Sequence, residues 1–387
     1  MSGQAAEAPV LFEERPAGGG KRIGIATLNA PKTLNGLSLD MARLLDARLV
    51  EWANDDGVAL VVLQGAGEKA FCAGGDLHSL YRSMQAYREA GGGDIRDNAY
   101  ASAFFEVEYR LDHRIHAYPK PILCWGHGIV MGGGIGLMSG ASHRVVSERS
   151  KLAFPEISIG LFPDVGGSWL LERVPDRAGL FLALTGAPLN PGDAIHAGLA
   201  DLHLPEADRE RVLAALAAED WAASADAHAR VDAVLARFAA PAAPGPLQRH
   251  AARIAVACAH DDLESVVAAI AVFDAGDDAW LQAAQATLAA GSPGSARLGF
   301  ELQRRAAALP LAEVFRLEYV AALHCSAHGD FAEGIRALLI DKDRAPKWNP
   351  ATLAQATPQW AEAFLAAPAW QGGMHPLADL QDNRGNT

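Results

Sequence analysis

Residues 154–167 constrain this chain most: Phe154-Pro155-Glu156-Ile157-Ser158-Ile159-Gly160-Leu161-Phe162-Pro163-Asp164-Val165-Gly166-Gly167. The run cannot form one regular element. Pro155 and Pro163 interrupt helix and strand alike, and Gly160 punctuates the middle. It reads as a rigid loop with a short apolar spine, followed by a helix starting near Gly166. Two carboxylates, Glu156 and Asp164, stand in this mostly apolar stretch. Carboxylates rarely sit in such surroundings without a partner or a task.

Two glycine turns lie upstream, Phe71-Cys72-Ala73-Gly74-Gly75-Asp76-Leu77 and Met131-Gly132-Gly133-Gly134-Ile135-Gly136. Each follows a strand-like run and precedes a helix start by pattern. Such turns can aim backbone N–H groups at a developing oxyanion, and the acids can then handle nucleophile and proton. Each feature also has a plainer reading. A glycine triplet by itself indicates close helix packing. Asp76 reads as a cap or turn former, Glu156 equally as an ion-pair partner, and Glu108, in Glu108-Tyr109-Arg110, as a surface salt bridge.

Periodicity places strands at residues 21–28, 58–64, 121–125 and 144–147. A helix is expected over residues 38–52, with Ser38 as N-cap and Met41, Leu44, Leu45 and Leu49 at helical spacing. A glycine-rich helix fits residues 132–140, and a mobile loop at 90–94 precedes a helix holding residues 104–109. This alternation implies a parallel sheet with helices outside, an α/β class. Beyond about residue 215 alanine dominates, and no strand is evident. The chain therefore divides into a core at 1–215 and a mostly helical region at 216–387.

Composition narrows the function classes. At 387 residues, half of them hydrophobic, a large core is readily supplied. A net charge of −13 argues against nucleic acid as a partner. No apolar run approaches a membrane span. The four cysteines show neither paired nor metal-ligand spacing, so a reducing compartment and no metal are expected. Residues 1–20 lack the apolar stretch of a secretory signal and the Arg-rich pattern of a transit peptide, which gives a cytoplasmic expectation.

Taken with Leu28-Asn29-Ala30-Pro31-Lys32-Thr33-Leu34-Asn35-Gly36-Leu37, these motifs resemble the crotonase (enoyl-CoA hydratase/isomerase) superfamily. Glu333-Gly334-Ile335-Arg336-Ala337-Leu338-Leu339-Ile340-Asp341-Lys342-Asp343 and Pro346-Lys347-Trp348 resemble its 3-hydroxyisobutyryl-CoA hydrolase branch. The resemblance implies a crotonase-like ββα spiral core with a helical C-terminal part. It implies an acyl-CoA thioester as substrate, with coenzyme A part of that substrate and no separate cofactor. It assigns the oxyanion hole to Gly75 and Gly133, catalysis to Glu156 and Asp164, substrate binding to Glu108, Gly133, Glu156 and Asp164, and a CoA contact to Lys32. Ala30 stands where the family commonly has Arg. The resemblance also implies that hydratases carry a second glutamate where this chain has Gly136, and Gly where it has Asp164. Thioester hydrolysis is therefore expected over hydration or isomerisation, and over a non-catalytic acyl-CoA-binding protein. Self-association is an option, since crotonase folds often trimerise.

Overall fold

The computed structural model describes residues 8–223 and 226–382. The expectation about the N-terminus falls partly on residues 1–7, outside the described residues, as do residues 383–387 of the helical region. In chain order the elements begin with β1 (Val10–Pro16), β2 (Arg22–Leu28), α1 (Leu39–Ala53), β3 (Val58–Gly65), β4 (Ala70–Cys72), α2 (Leu77–Glu89) and α3 (Ala99–His116). There follow β5 (Ile122–Gly126), β6 (Ile129–Met131), α4 (Gly133–Ser139), β7 (His143–Val146), β8 (Lys151–Ala153), α5 (Gly167–Glu172), α6 (Ala178–Thr185), α7 (Pro191–His196) and β9 (Leu202–His203). The rest is helical among the described residues: α8 (Arg209–Ala218), α9 (Ala227–Leu235), α10 (Pro246–Ala257), α11 (Leu263–Ala271), α12 (Ala279–Ala290), α13 (Pro293–Ala306), α14 (Leu311–Ala327), α15 (Asp330–Ile335) and α16 (Pro358–Leu365), with short single turns between.

The larger sheet has the order β1-β2-β3-β5-β7-β9 and is parallel except for β1, which pairs antiparallel with β2. The expected strands at 21–28, 58–64, 121–125 and 144–147 are its centre. Alternation along β2 and β3 divides their side chains between two cores. Ile23, Ile25, Leu60 and Val62 face a smaller cluster closed by Val212, Leu213 and Leu216 of α8 and by Val231 and Val234 of α9. Ala26, Leu28, Val61 and Leu63 face a larger cluster that continues through α3 and α13 to α14. A second sheet, β4-β6-β8, is parallel and short. Its strands lead into the Gly75 turn, the Gly132 turn and the acidic loop, so three chain segments with chemistry emerge side by side.

Helix α1 is capped by Ser38, whose hydroxyl accepts the Met41 N–H. Its buried stripe is Met41, Leu45, Leu49 and Trp52, whereas Leu44 turns out to solvent. Leu44 lies one residue off the four-residue rows that form the stripe. Residues 91–94 are fastened by Tyr87, whose hydroxyl accepts the Gly93 N–H at 3.0 Å and donates to the Gly93 carbonyl at 3.1 Å. We propose that the chain divides near residue 215, where the element type changes: no strand follows β9 among the described residues.

Candidate active site

The Gly75 turn is built by its own neighbourhood. Leu37 N–H donates to the Gly74 carbonyl at 2.8 Å, Asp76 N–H to the Leu37 carbonyl at 2.9 Å, and Ala73 N–H to the Leu34 carbonyl at 3.1 Å. Asn35, fully buried, anchors the 30–37 loop by accepting the Ala30 N–H and donating to the Ala66 and Ala70 carbonyls. Asp76 caps α2 by accepting the Ser79 N–H. Gly74 has φ +107°, a conformation only glycine takes readily. The same loop carries Lys32 exposed on its outer side.

Opposite it, β6 is followed by Gly132 at φ +48° and ψ −121°, which turns the chain into α4 with Gly133 as first helical residue. The first N–H groups of a helix have no partner within it. A Cβ on Gly133 would stand 3.5 Å from the Gly75 nitrogen and collide with Glu108 Oε1. A Cβ on Gly132 would stand 2.9 Å from Glu156 Oε1. The absence of side chains therefore lets Gly75, Gly133, Glu108 and Glu156 converge.

Glu156 opens a single helical turn after Pro155, and its carboxyl is 3% exposed, with Oε2 unpartnered among the described residues. Asp164, 5% exposed, accepts the Tyr109 hydroxyl at 2.8 Å. Glu108 is buried and not part of a surface pair. The salt bridge of this stretch belongs to Arg110 with Glu106 and Asp379. Helix α3 thus turns Glu108, Tyr109 and Asp112 inward and Glu106 and Arg110 outward, as three- and four-residue spacing dictates.

Two buried acids escaped the sequence reading. Asp112 has no partner on either oxygen among the described residues, and its Oδ2 lies 2.7 Å from where a Cβ on Gly136 would be. Glu318 on α14 accepts the Gly166 N–H at 2.8 Å and the Ser168 N–H at 3.0 Å. A signal existed for both. Asp112 is four residues past Glu108 on a face that also holds Phe105 and Tyr109, and Glu318 continues the row Leu311, Phe315. An acid inside an apolar stripe is a marker worth reading.

These carboxyls share one low-dielectric pocket, so they cannot all ionise. Burial, then the Asp164 charge, holds Glu156 and Asp112 well above the usual carboxylate range. Burial, then Asp164, Asp112 and Glu156, does the same to Glu108. Burial lifts Asp164 only to about 6, because the Tyr109 hydroxyl favours its charged form. Among these carboxyls Asp164 is the one whose charged form its partner, the Tyr109 hydroxyl, supports. Two cavities lie elsewhere: about 270 Å³ among α5, α6, α10 and α13, and about 500 Å³ along α14 and α16.

Glycine turns facing buried acids at the ends of short parallel strands define a crotonase-type fold and pocket. The chain belongs to the enoyl-CoA hydratase/isomerase family, whose model matches residues 23–365. It is 38% identical to the mitochondrial 3-hydroxyisobutyryl-CoA hydrolase of Danio rerio, over 95% of this chain and 92% of that protein. It is 34% identical to the Homo sapiens protein of the same name, over 86% and 83% respectively. Among solved structures it resembles one described as a carnitinyl-CoA dehydratase from Mycobacterium thermoresistibile, with TM-score 0.81, 38% identity, and 93% of this chain and 97% of that one covered. One described as an enoyl-CoA hydratase from Rhodobacter sphaeroides 2.4.1 follows at TM-score 0.79 and 37% identity, with the same coverage of both chains. The spiral fold expected from the motifs is the fold observed.

Proposed function

We propose that this chain hydrolyses CoA thioesters, with 3-hydroxyisobutyryl-CoA, an intermediate of valine breakdown, as its substrate. One observation carries the reading: Asp164 is buried in the pocket of Glu156 and oriented by Tyr109, while Gly136 offers no carboxylate from α4. Addition of water to a double bond calls for two carboxylates flanking that bond. Here the second acid comes from the acidic loop instead.

In this reading the thioester oxygen lies between the N–H groups of Gly75 and Gly133. Those donors stabilise the charge that grows on attack, about 3–4 kcal/mol each at such sites. The two acids share a single negative charge, carried by Glu156 at the moment of attack with the proton on Asp164. Glu156 then attacks the carbonyl, forming an anhydride, or deprotonates a water that attacks. When the C–S bond breaks, protonated Asp164 delivers its proton to the leaving sulfur, giving free CoA thiol. In the anhydride route, ionised Asp164 accepts a proton from the water that cleaves it. Glu108, held neutral by its surroundings, can hydrogen-bond the substrate hydroxyl. Lys32, on the rim of the 30–37 loop, contacts the CoA phosphates.

The hydratase reading draws on the two solved structures at 38% and 37% identity, described as a dehydratase and a hydratase. Thiol release separates the readings. Incubation with 3-hydroxyisobutyryl-CoA in the presence of a thiol reagent should yield one thiol per substrate. No release from any CoA thioester, or loss of enoyl absorbance without thiol, would defeat the hydrolase reading. Cytoplasmic placement remains part of the proposal, although the named relatives are mitochondrial; imaging of the tagged chain decides it.

A further inference from the structure

Val165 sits between the acid Asp164 and the start of α5, and it is a β-branched residue in the left-handed region, φ +54°. Such residues do not hold that conformation unaided. Gly166 follows at φ +77° and caps α5 without a side chain of its own. Two consecutive left-handed residues expose the N–H groups of Gly166 and Ser168, and buried amides need acceptors. Both acceptors are the oxygens of one side chain, Glu318, which lies 152 and 150 residues further along the chain.

The surroundings fix Glu318 as firmly as it fixes the turn. Leu311, Phe315 and Glu318 occupy one face of α14. A Cβ on Gly166 would stand 3.2 Å from Phe315 and 3.4 Å from Leu311. Phe315 packs on Tyr109 at 5.6 Å between ring centroids, and Tyr109 holds Asp164. Glu318 is fully buried. Asp164, Asp112 and Tyr109 are the titratable groups that face it.

We propose that Glu318 is a positioning residue for Asp164: it locks the left-handed turn at 165–166 and so sets where the Asp164 carboxylate points. The helical C-terminal region thereby completes the active site without touching the thioester. This rests on the hydrolase reading for its kinetic arm only. Burial and the nearby Asp164 charge push the Glu318 carboxyl up to about 8 against the pull of the two amides.

The test uses the full chain with Glu318→Gln, which keeps the shape but turns one acceptor oxygen into a donor, and Glu318→Ala as a second variant. Both are combined with Asp164→Asn. Expected for Glu318→Gln is a folded protein whose kcat for thiol release falls about tenfold or more, with KM within about twofold. In the Asp164→Asn background the same change should cost less than about twofold, since the group being positioned is already altered. Wild-type kcat in Glu318→Gln, or an equal loss in both backgrounds, overturns the proposal. Amide hydrogen exchange at Gly166 and Ser168 gives an arm independent of activity. Faster exchange in Glu318→Gln, or in Glu318→Ala should the first misfold, supports the lock; unchanged protection overturns it. If wild type releases no thiol at all, the hydrolase reading fails, and the exchange arm alone decides the role of Glu318.

Discussion

The two glycine turns proposed as backbone donors are held by chain within about forty residues, whereas the acids facing them are held from farther along it. Gly75 is fixed by the 30–37 loop, some forty residues upstream, and Gly133 by the strand that ends two residues before it. Asp164 is oriented by Tyr109, 55 residues upstream, and its turn by Glu318, 152 residues downstream of Gly166. The glycine side is local geometry; the acid side is tertiary packing. Backbone donors need only the right φ/ψ. A carboxyl needs removal from water before its proton affinity becomes useful, and removal from water takes distant helices.

That contrast can be broken or sharpened. The largest effect should come from Glu156→Gln, which removes the charge required by either route. Turnover should drop by about four orders of magnitude while CoA-thioester binding persists, read by single-turnover kinetics and by calorimetry. Comparable turnover would make Glu156 structural. Isotopic oxygen from water entering Glu156 in one turnover would select the anhydride route.

Gly133→Val tests the local side. Its side chain would enter the space of Glu108 Oε1 and the Gly75 nitrogen. A loss of about 100- to 1000-fold in kcat is expected in a protein with a native circular dichroism spectrum. Near-normal kcat would remove Gly133 from the oxyanion hole.

Asp164→Asn tests the distant side twice. Turnover should fall by about 100-fold. If Asp164 also reads the substrate hydroxyl, the preference for 3-hydroxyisobutyryl-CoA over isobutyryl-CoA should vanish with it. Stability should move the other way. The Asp164 carboxyl is raised to about 6 in the folded chain, so its neutral form suits the fold. That contribution is complete below the ordinary carboxylate range and is lost as pH rises through about 6. At pH 8 the variant should therefore be more stable than wild type, by on the order of 1–3 kcal/mol, and the gap should close near pH 4. Denaturant melts at the two pH values check this; a variant less stable at pH 8 would refute the buried-charge account.

The smallest effect belongs to Lys32→Ala. An exposed lysine on a phosphate loses little, so KM should rise about two- to fivefold with kcat unchanged, and added salt should erase the difference. A kcat effect would place Lys32 nearer the chemistry than its exposure suggests.

The same contrast governs what could be read before the fold was known. The Ser38 cap, the Asp76 cap, the central strands and both glycine turns are short-range features, and their residues announce them. Strand β1 and the three-residue strands β4, β6 and β8 carry no periodic signal of their own, because pairing defines them. Glu108 needed the family resemblance: beside Tyr109 and Arg110 it looks like a surface acid, and only the rotation of α3 shows that Glu106 takes that part. Asp112 and Glu318 are lone acids in helices, and nothing nearby in sequence names their partners. Glu318 stayed hidden because the amides it accepts, those of Gly166 and Ser168, lie some 150 residues upstream.

The space beside Gly136 is filled by the Asp112 carboxyl and by Val165, each 2.7 Å from where a Cβ would stand. Asp112 Oδ2, at the end of its side chain, can swing aside, but the Val165 Cβ sits next to the backbone of the left-handed turn. A side chain at 136 would therefore push on the turn that aims Asp164, and the two places from which an acid could enter this pocket compete for one volume.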